Sequence, residues 1–373
     1  MTTDAIGLYV HIPFCVRKCN YCDFCSFDPA ASLWRKDYIP RLCREIRSYS
    51  GQGIKINSIF FGGGTPSLLS PDEFRSICDC IKESFNVLPD TEFTIEANPK
   101  TLDGEKLSAF IKCGVNRLSI GLQSIHENEL KKLGRIHDFD DFLDSYNLAR
   151  KCGIENVNID LMYGIPEQTM KSFDETLDRI IDLEPEHISL YGLIIEEGTP
   201  FYNDRSNLAL PGEDSECDMY YLAADKLLQN GYSHYEISNY AKPGFYCRHN
   251  LKYWRAEEYI GVGLNAYSYF KGRRYANSDE AEVYLTEDCE NYDQTSSVDL
   301  SDKAFEYVML RLRLREGFSL LEYKSRFGVD FFARNRDSIE RFCKAGYLTL
   351  DGDRLALTER GFYVSNSILT ELL

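Results

Sequence analysis

The sequence predicts an α/β protein in which six β/α units form a partial barrel, followed by a small C-terminal module of different character. Short apolar runs alternate with helical patterns from residue 8 to about residue 193, which is the mark of a parallel sheet with crossover helices. Polar or glycine-rich residues follow every one of those runs. The carboxyl ends of the strands are the face on which β/α barrels keep their sites. Six separate segments are therefore expected to converge on one rim.

Strands are read at 8–12, 58–61, 92–95, 117–121, 157–161 and 187–191. Amphipathic helical stretches lie between them at 33–49, 71–85, 104–112, 139–151 and 170–181. The rim is then supplied by a cysteine loop, by Gly62 to Pro66, by Glu96 to Pro99, by Gln123 and Ser124, by Asp160 to Gly164, and by Tyr191. This barrel is placed at 1–195. A mixed segment at 196–298, with a helix near 214–229 and a strand near 232–237, is expected to finish the wall and cover the mouth. In the last part, 299–373, helices at 301–313, 319–327 and 334–345, a hairpin at 347–357 turning on Asp351, Gly352 and Asp353, and a final helix follow in the order that resembles a winged helix. Residues 301–373 hold twelve Lys/Arg against eleven Asp/Glu, so docking or structural support is expected there rather than DNA reading.

The formal charge of −17 argues against non-specific nucleic-acid binding, which needs cations to displace the counterions of phosphates. No stretch approaches the length of a membrane span. Thirteen cysteines and no secretion signal point to the reducing cytoplasm, without disulfides. Cys43, Cys78, Cys80, Cys113, Cys152, Cys217, Cys289 and Cys343 are scattered, as small buried apolar residues would be.

Cys15, Cys19 and Cys22 stand at C-x3-C-x2-C spacing on one short loop. Three thiolates can hold three irons of a 4Fe-4S cluster and leave the fourth open, whereas carrier clusters take four cysteines. A zinc loop is the competing reading, but it usually pairs two knuckles and no second knuckle lies nearby. Cys25 adds a fourth thiol that either closes the cluster or stands beside it. The spacing, with Tyr21 just before the last cysteine, resembles the signature of the radical S-adenosylmethionine (SAM) superfamily. That resemblance implies a partial (β/α)6 radical SAM barrel whose open iron chelates the amino and carboxylate groups of SAM.

The segment Gly62-Gly63-Gly64-Thr65-Pro66 follows a strand, and consecutive glycines let backbone amides approach a ligand. A tight strand-to-helix turn would use the same residues. The resemblance gives Gly63, Gly64 and Thr65 to the methionine end of SAM, and adds Glu96, Gln123, Arg135 and Asp160 as further contacts. Two carboxylates and an arginine suit a zwitterionic sulfonium, each charge meeting its opposite. Tyr21 is expected to stack on adenine, Phe24 to join the SAM contacts, and Tyr9 either to touch SAM or to fill the barrel.

Taken together, LYVHIPFCVRKCNYCDF, FFGGGTPSLL, IEANP, NRLSIGLQS, LGRIH and DLMYGIP resemble the family of oxygen-independent coproporphyrinogen III dehydrogenases and their relatives, over nearly the whole chain. The dehydrogenase branch decarboxylates propionates, carries C-x3-C-x2-C-x-C and has an N-terminal extension. Here position 24 is Phe and seven residues precede Leu8, both pointing to the other branch, the heme chaperones of the HemW type. That branch carries H-N-x-x-Y-W, present as His249, Asn250, Leu251, Lys252, Tyr253 and Trp254. Imidazole is a common heme ligand, so His249 is expected to contact heme, with Cys247 as a rival ligand and a core histidine as the plain alternative. The family's Asn after C-D-F is Cys25 here. The resemblance implies heme and heme-accepting proteins as partners, no nucleic acid, and a homodimer as a candidate assembly. The rival readings are the dehydrogenase and a winged-helix regulator that senses iron or redox state.

Overall fold

The computed structural model describes residues 5–28, 34–286, 296–297 and 300–373. Cys289, the first residue of the helix expected from 33, and the expected division at 298/299 lie outside them. Six parallel strands lie side by side in chain order: β1 (Ala5–Ile12), β2 (Lys55–Gly63), β3 (Asn86–Ala97), β4 (Arg117–Gln123), β5 (Asn156–Tyr163) and β6 (His187–Gly192). Val10 pairs with Phe61 and Ile120 with Ile159, so apolar side chains share one level across the sheet. Every residue of β4 is buried, as expected of a parallel strand covered on both faces.

The crossover helices begin where side chains can cap them. Ser70 accepts from the Glu73 amide and Glu73 returns the bond, with Pro71 in the first turn of Pro71–Ser84. Asp138 with Asp141 starts Phe139–Lys151, and Thr169 with Ser172 starts Met170–Ile181, in the same reciprocal way. Their apolar faces, including Phe74, Phe110, Phe142 and Phe173, join the strands in one core.

Short strands extend the sheet at both edges. Next to β6 lie β7 (Ser233–Glu236) and β8 (Asn239–Ala241), antiparallel, with β8 the direct neighbour of β6. On the other side β9 (Tyr259–Val262) runs parallel to β1, followed by antiparallel β10 (Tyr267–Phe270), β11 (Arg273–Ala276) and β12 (Ser296–Ser297). The outer strands β7 and β12 do not pair with each other, so the barrel is partial. One expectation is corrected here. The helix Arg248–Trp254, within the segment read as covering the mouth, packs instead against the beginnings of the strands: Lys252 Nζ donates to the Ala5 carbonyl (3.2 Å) and the Arg248 and His249 amides donate to Glu92 (2.9 and 3.0 Å).

The C-terminal part builds its own core from Tyr307, Phe318, Tyr323, Phe331, Ile339, Leu355 and Phe362. Its helices Leu300–Arg311, Leu320–Phe327 and Phe331–Lys344 surround a three-stranded antiparallel sheet of Phe318–Ser319, Arg354–Leu357 and Leu348–Asp351. The expected element order is present, with the last helix broken into Glu359–Tyr363 and Ser365–Leu372. It is tied to β7 by amide bonds from Ile237 to Arg313 and from Arg315 to Tyr235 (both 3.0 Å), and by His234 against Glu359 (2.8 Å). Among the described residues no helix is long and apolar enough to cross a membrane.

Candidate functional site

The loop after β1 is pinned at both ends. The Cys15 amide donates to the Phe27 carbonyl (2.9 Å), the Phe27 amide to Pro13 (2.7 Å), and the Asn20 amide to Leu133 (2.9 Å). Cys15, Cys19 and Cys22 thereby line one pocket of about 400 Å³ at the strand ends. That volume lies within the roughly 300–1,000 Å³ of small-molecule sites. Each thiol has its own neighbour: Thr65 Oγ1 donates to Cys15 Sγ (3.5 Å), Arg135 Nη1 donates to Cys19 Sγ (3.4 Å), and Cys22 is bonded to the Phe24 backbone. Among the described residues no three His, Cys, Asp or Glu side chains converge as a single metal ion requires. Thiols set side by side on one wall fit a polynuclear cluster, in which each cysteine holds a separate iron. Burial pushes the Cys22 thiol up to about 11 and raises Cys15 as well. A metal must displace those protons on binding. Cys25 does not line the pocket; its sulfur turns toward the Asp279 carbonyl (3.9 Å).

The opposite wall is shaped for close approach. Gly63 has φ +107°, and a Cβ there would stand 2.4 Å from the His11 ring. Only glycine leaves that strand end open. The Gly63 amide donates to Glu96 Oε2 (3.2 Å). Gly121 serves Arg135, since a Cβ would lie 2.7 Å from Nη2. Arg135 Nη2 donates to the Gly121 carbonyl and to Asn98 Oδ1 (2.7 Å), and Asn98 Nδ2 donates to Thr65 Oγ1 (2.8 Å). Arg135 Nε is buried without a partner, an orphaned donor that a bound group can satisfy. Glu96 is pushed up to about 8, first by burial and then by Asp160. Burial also raises Asp160, whose oxygens accept from Ser119 (3.2 Å) and Asn158 (2.8 Å). A cation placed between these two carboxylates would be matched on both sides.

Gly63, Gly64, Glu96, Gln123, Arg135, Asp160, Tyr21 and Phe24 are therefore brought together with the three cysteines. Gln123 is held at φ +75° at the end of β4, a sparsely populated backbone of the kind that clusters at sites. One residue is not placed as expected, and Tyr9 takes the second of its two expected places. Thr65 is 2% exposed and stands behind Cys15, outside the pocket lining. Its small hydroxyl supports the thiol, and the residue lines a smaller neighbouring pocket with Cys19, Asn98 and Arg135. Tyr9 lies deeper, its hydroxyl on His11 Nδ1 (3.1 Å), on the wall of an inner cavity. Sequence reasoning missed Asn98, the bridge between Thr65 and Arg135, although it stands in the IEANP stretch directly after β3.

The inner cavity, of about 250 Å³, continues below the pocket and shares Phe24, Gly63, Glu96, Asp160 and Tyr191 with it. His249 is on its wall, and the expectation that it ligates heme is corrected by its placement. It is 1% exposed, its Nδ1 meets Ser58 Oγ (3.0 Å), its Nε2 meets Tyr253 Oη (2.8 Å), and its ring packs on Phe60. Burial pushes its imidazole down to about 3, so it is neutral. Both nitrogens are used within the protein. Cys247 is no freer, fully buried with its thiol on Glu92 (3.6 Å). His249→Ala is expected to act on stability, losing about 3 kcal/mol through a core cavity and two broken hydrogen bonds. Chemical denaturation measures this, and an unchanged midpoint would contradict the core role.

Comparison with known proteins fits this geometry. The Radical SAM superfamily model matches residues 9–180 and the HemN C-terminal domain model matches residues 298–364. The heme chaperone HemW of Lactococcus lactis is 36% identical over 98% of this chain and 96% of its own length. HemW of Escherichia coli is likewise 36% identical, over 98% of this chain and 97% of its own. HemW of Bacillus subtilis is 34% identical over 98% of each. Among solved structures, the coproporphyrinogen III oxidase HemN of Escherichia coli superposes with a TM-score of 0.86, covering 99% of this chain and 90% of that one at 23% identity; at that identity the likeness speaks for the fold. Identity of this order along the whole length places the chain in the HemW family of heme chaperones, within the radical SAM superfamily.

Proposed function

We propose that this chain is a heme chaperone, which binds heme and passes it to acceptor proteins while carrying a 4Fe-4S cluster and SAM. The observation that carries the reading is the match over 98% of the chain to proteins named as heme chaperones. Phe24, where the resemblance gives the dehydrogenase a further cysteine, supports the same choice. In this reading Cys15, Cys19 and Cys22 hold the cluster, and Gly63, Gly64, Glu96, Gln123, Arg135, Asp160, Tyr21 and Phe24 surround SAM. When bound, the cluster supplies a redox centre with one open iron. The chain's part is to fix three thiols, to set Arg135 against Cys19, and to offer carboxylates to a cation. Phe24, Tyr191 and Ile194 are 63%, 41% and 67% exposed on the pocket rim, an apolar surface suited to a porphyrin face. With His249 and Cys247 committed to the core, the heme ligand is sought on that rim.

SAM affinity is expected to rise with pH and level off above about 8. Glu96 is raised from 4.5 to about 8, so at neutral pH it is mostly a neutral acid, and pairing with a cation requires its proton to leave. Affinity should therefore fall by up to about tenfold for each pH unit below that value. Calorimetric titrations across pH check this, and a Glu96→Gln variant with the same profile would contradict it.

We further propose a cytoplasmic location, no nucleic-acid partner, and a homodimer, the last checked by light scattering. The functional test is optical titration of the cluster-loaded chain with heme, run beside an assay of coproporphyrinogen III decarboxylation with SAM and a reductant. Saturable heme binding without decarboxylation is expected. Turnover without heme binding would make the dehydrogenase reading correct.

A further inference from the structure

Two cysteines outside the cofactor pocket share a cavity of their own. Cys78 lies in the helix Pro71–Ser84, and Cys113 is the last residue of the helix Gly104–Cys113. Both line a space of about 190 Å³ between these helices and β3, walled by Ile81, Lys82, Val87 and Phe93. That space is far larger than the roughly 10–15 Å³ that one water needs. The two thiols are hydrogen-bonded to each other. Cys78 is 1% exposed, whereas Cys113 is half-buried.

A second thiol pair supplies the comparison. Cys43, in the helix Arg35–Ser48, is hydrogen-bonded to Cys80. These two are 4% and 1% exposed, and Cys43 also contacts the Ser76 carbonyl and hydroxyl (3.9 Å each). They fill core space, as small apolar residues would. Access therefore separates the two pairs. The Cys78–Cys113 pair is also asymmetric. Their hydrogen bond and then burial raise the Cys78 thiol. The same bond lowers Cys113, with Lys82 helping and burial opposing. The thiolate is the nucleophile, so the more accessible sulfur is also the one better able to attack.

We propose that Cys78 and Cys113 form a thiol–disulfide exchange site for low-molecular-weight disulfides, in which Cys113 attacks and Cys78 resolves. The Cys113 thiolate attacks one sulfur of the small disulfide. A bond to that sulfur forms, the original S–S bond breaks, and the other half leaves as a thiolate with the electron pair. Cys78 then loses its proton and attacks the Cys113 sulfur of the mixed disulfide, which releases the second small thiolate. Two protein thiols are oxidised to one disulfide, the small disulfide is reduced to two thiols, and the protons of Cys113 and Cys78 end on those two products. The new bond ties the helix that follows the Gly62–Pro66 turn to the helix that follows Glu96–Pro99.

The test treats the full chain, loaded with cluster under anaerobic conditions, with glutathione disulfide, then alkylates it and maps it by mass spectrometry. A peptide linked through Cys78 and Cys113, released by dithiothreitol, is expected, while Cys43 and Cys80 remain free thiols. Cys78→Ser should stop the reaction at glutathione on Cys113, and Cys113→Ser should leave Cys78 unmodified. On the unaltered chain iodoacetamide should alkylate Cys113 about tenfold faster than Cys43 or Cys80, or more; this carries the test if the variants do not fold. A chain that gives no Cys78–Cys113 linkage, or in which Cys43 and Cys80 react as readily, would overturn the inference, as would glutathione settling on Cys78 in Cys113→Ser.

Discussion

Serine at Cys15, Cys19 or Cys22 is expected to abolish the reconstituted 4Fe-4S spectrum, while Cys25→Ser keeps it. The first three sulfurs line one pocket wall and the fourth turns away toward Asp279. A cluster with one open iron has no spare ligand, so the loss of one thiolate is not made up by protein. The effect should be close to complete, with the fold retained, because the loop is held by the backbone bonds of Cys15, Asn20 and Phe27 and not by the sulfurs. Iron and sulfide content per chain reads the result. A cluster lost in Cys25→Ser and kept in Cys19→Ser would overturn the ligand assignment.

Arg135→Ala should weaken SAM binding about 30-fold or more, since truncating a buried, hydrogen-bonded charge costs about 2 kcal/mol or more. Its guanidinium joins Cys19, Asn98 and the Gly121 carbonyl, so its removal unties the cluster side of the pocket from the ends of β3 and β4. Arg135→Lys keeps the charge without the fork and should recover only part of the affinity. Equilibrium binding to cluster-loaded protein measures this. Unchanged affinity in Arg135→Ala would place SAM elsewhere.

The barrel was legible because its signals are local. Apolar runs mark each buried parallel strand, and amphipathic stretches mark the helices between them. The short edge strands were not legible. Strands β10 and β11 are four residues each, of Tyr-Ser-Tyr-Phe and Arg-Arg-Tyr-Ala, with too little alternation to separate them from loop. Within the site, residue type and spacing pointed to the cysteines and to the charged residues after the strands. The supporting partners were hidden, because Thr65 serves Cys15 from 50 positions away and Ser58 holds His249 from 191 away. The H-N-x-x-Y-W stretch looked like an exposed ligand motif for the same reason. The Glu92 carboxylate that receives its helix amides lies on β3, 157 positions before His249.

Heme transfer tests the central claim most directly. The cluster-loaded chain, charged with one equivalent of heme and freed of excess, is mixed with an apo heme protein of distinct Soret maximum. Movement of heme to the acceptor, faster than from an equal amount of heme held by serum albumin, is the result expected of a chaperone. Heme that stays on the chain, or reaches the acceptor no faster than from albumin, would contradict the account.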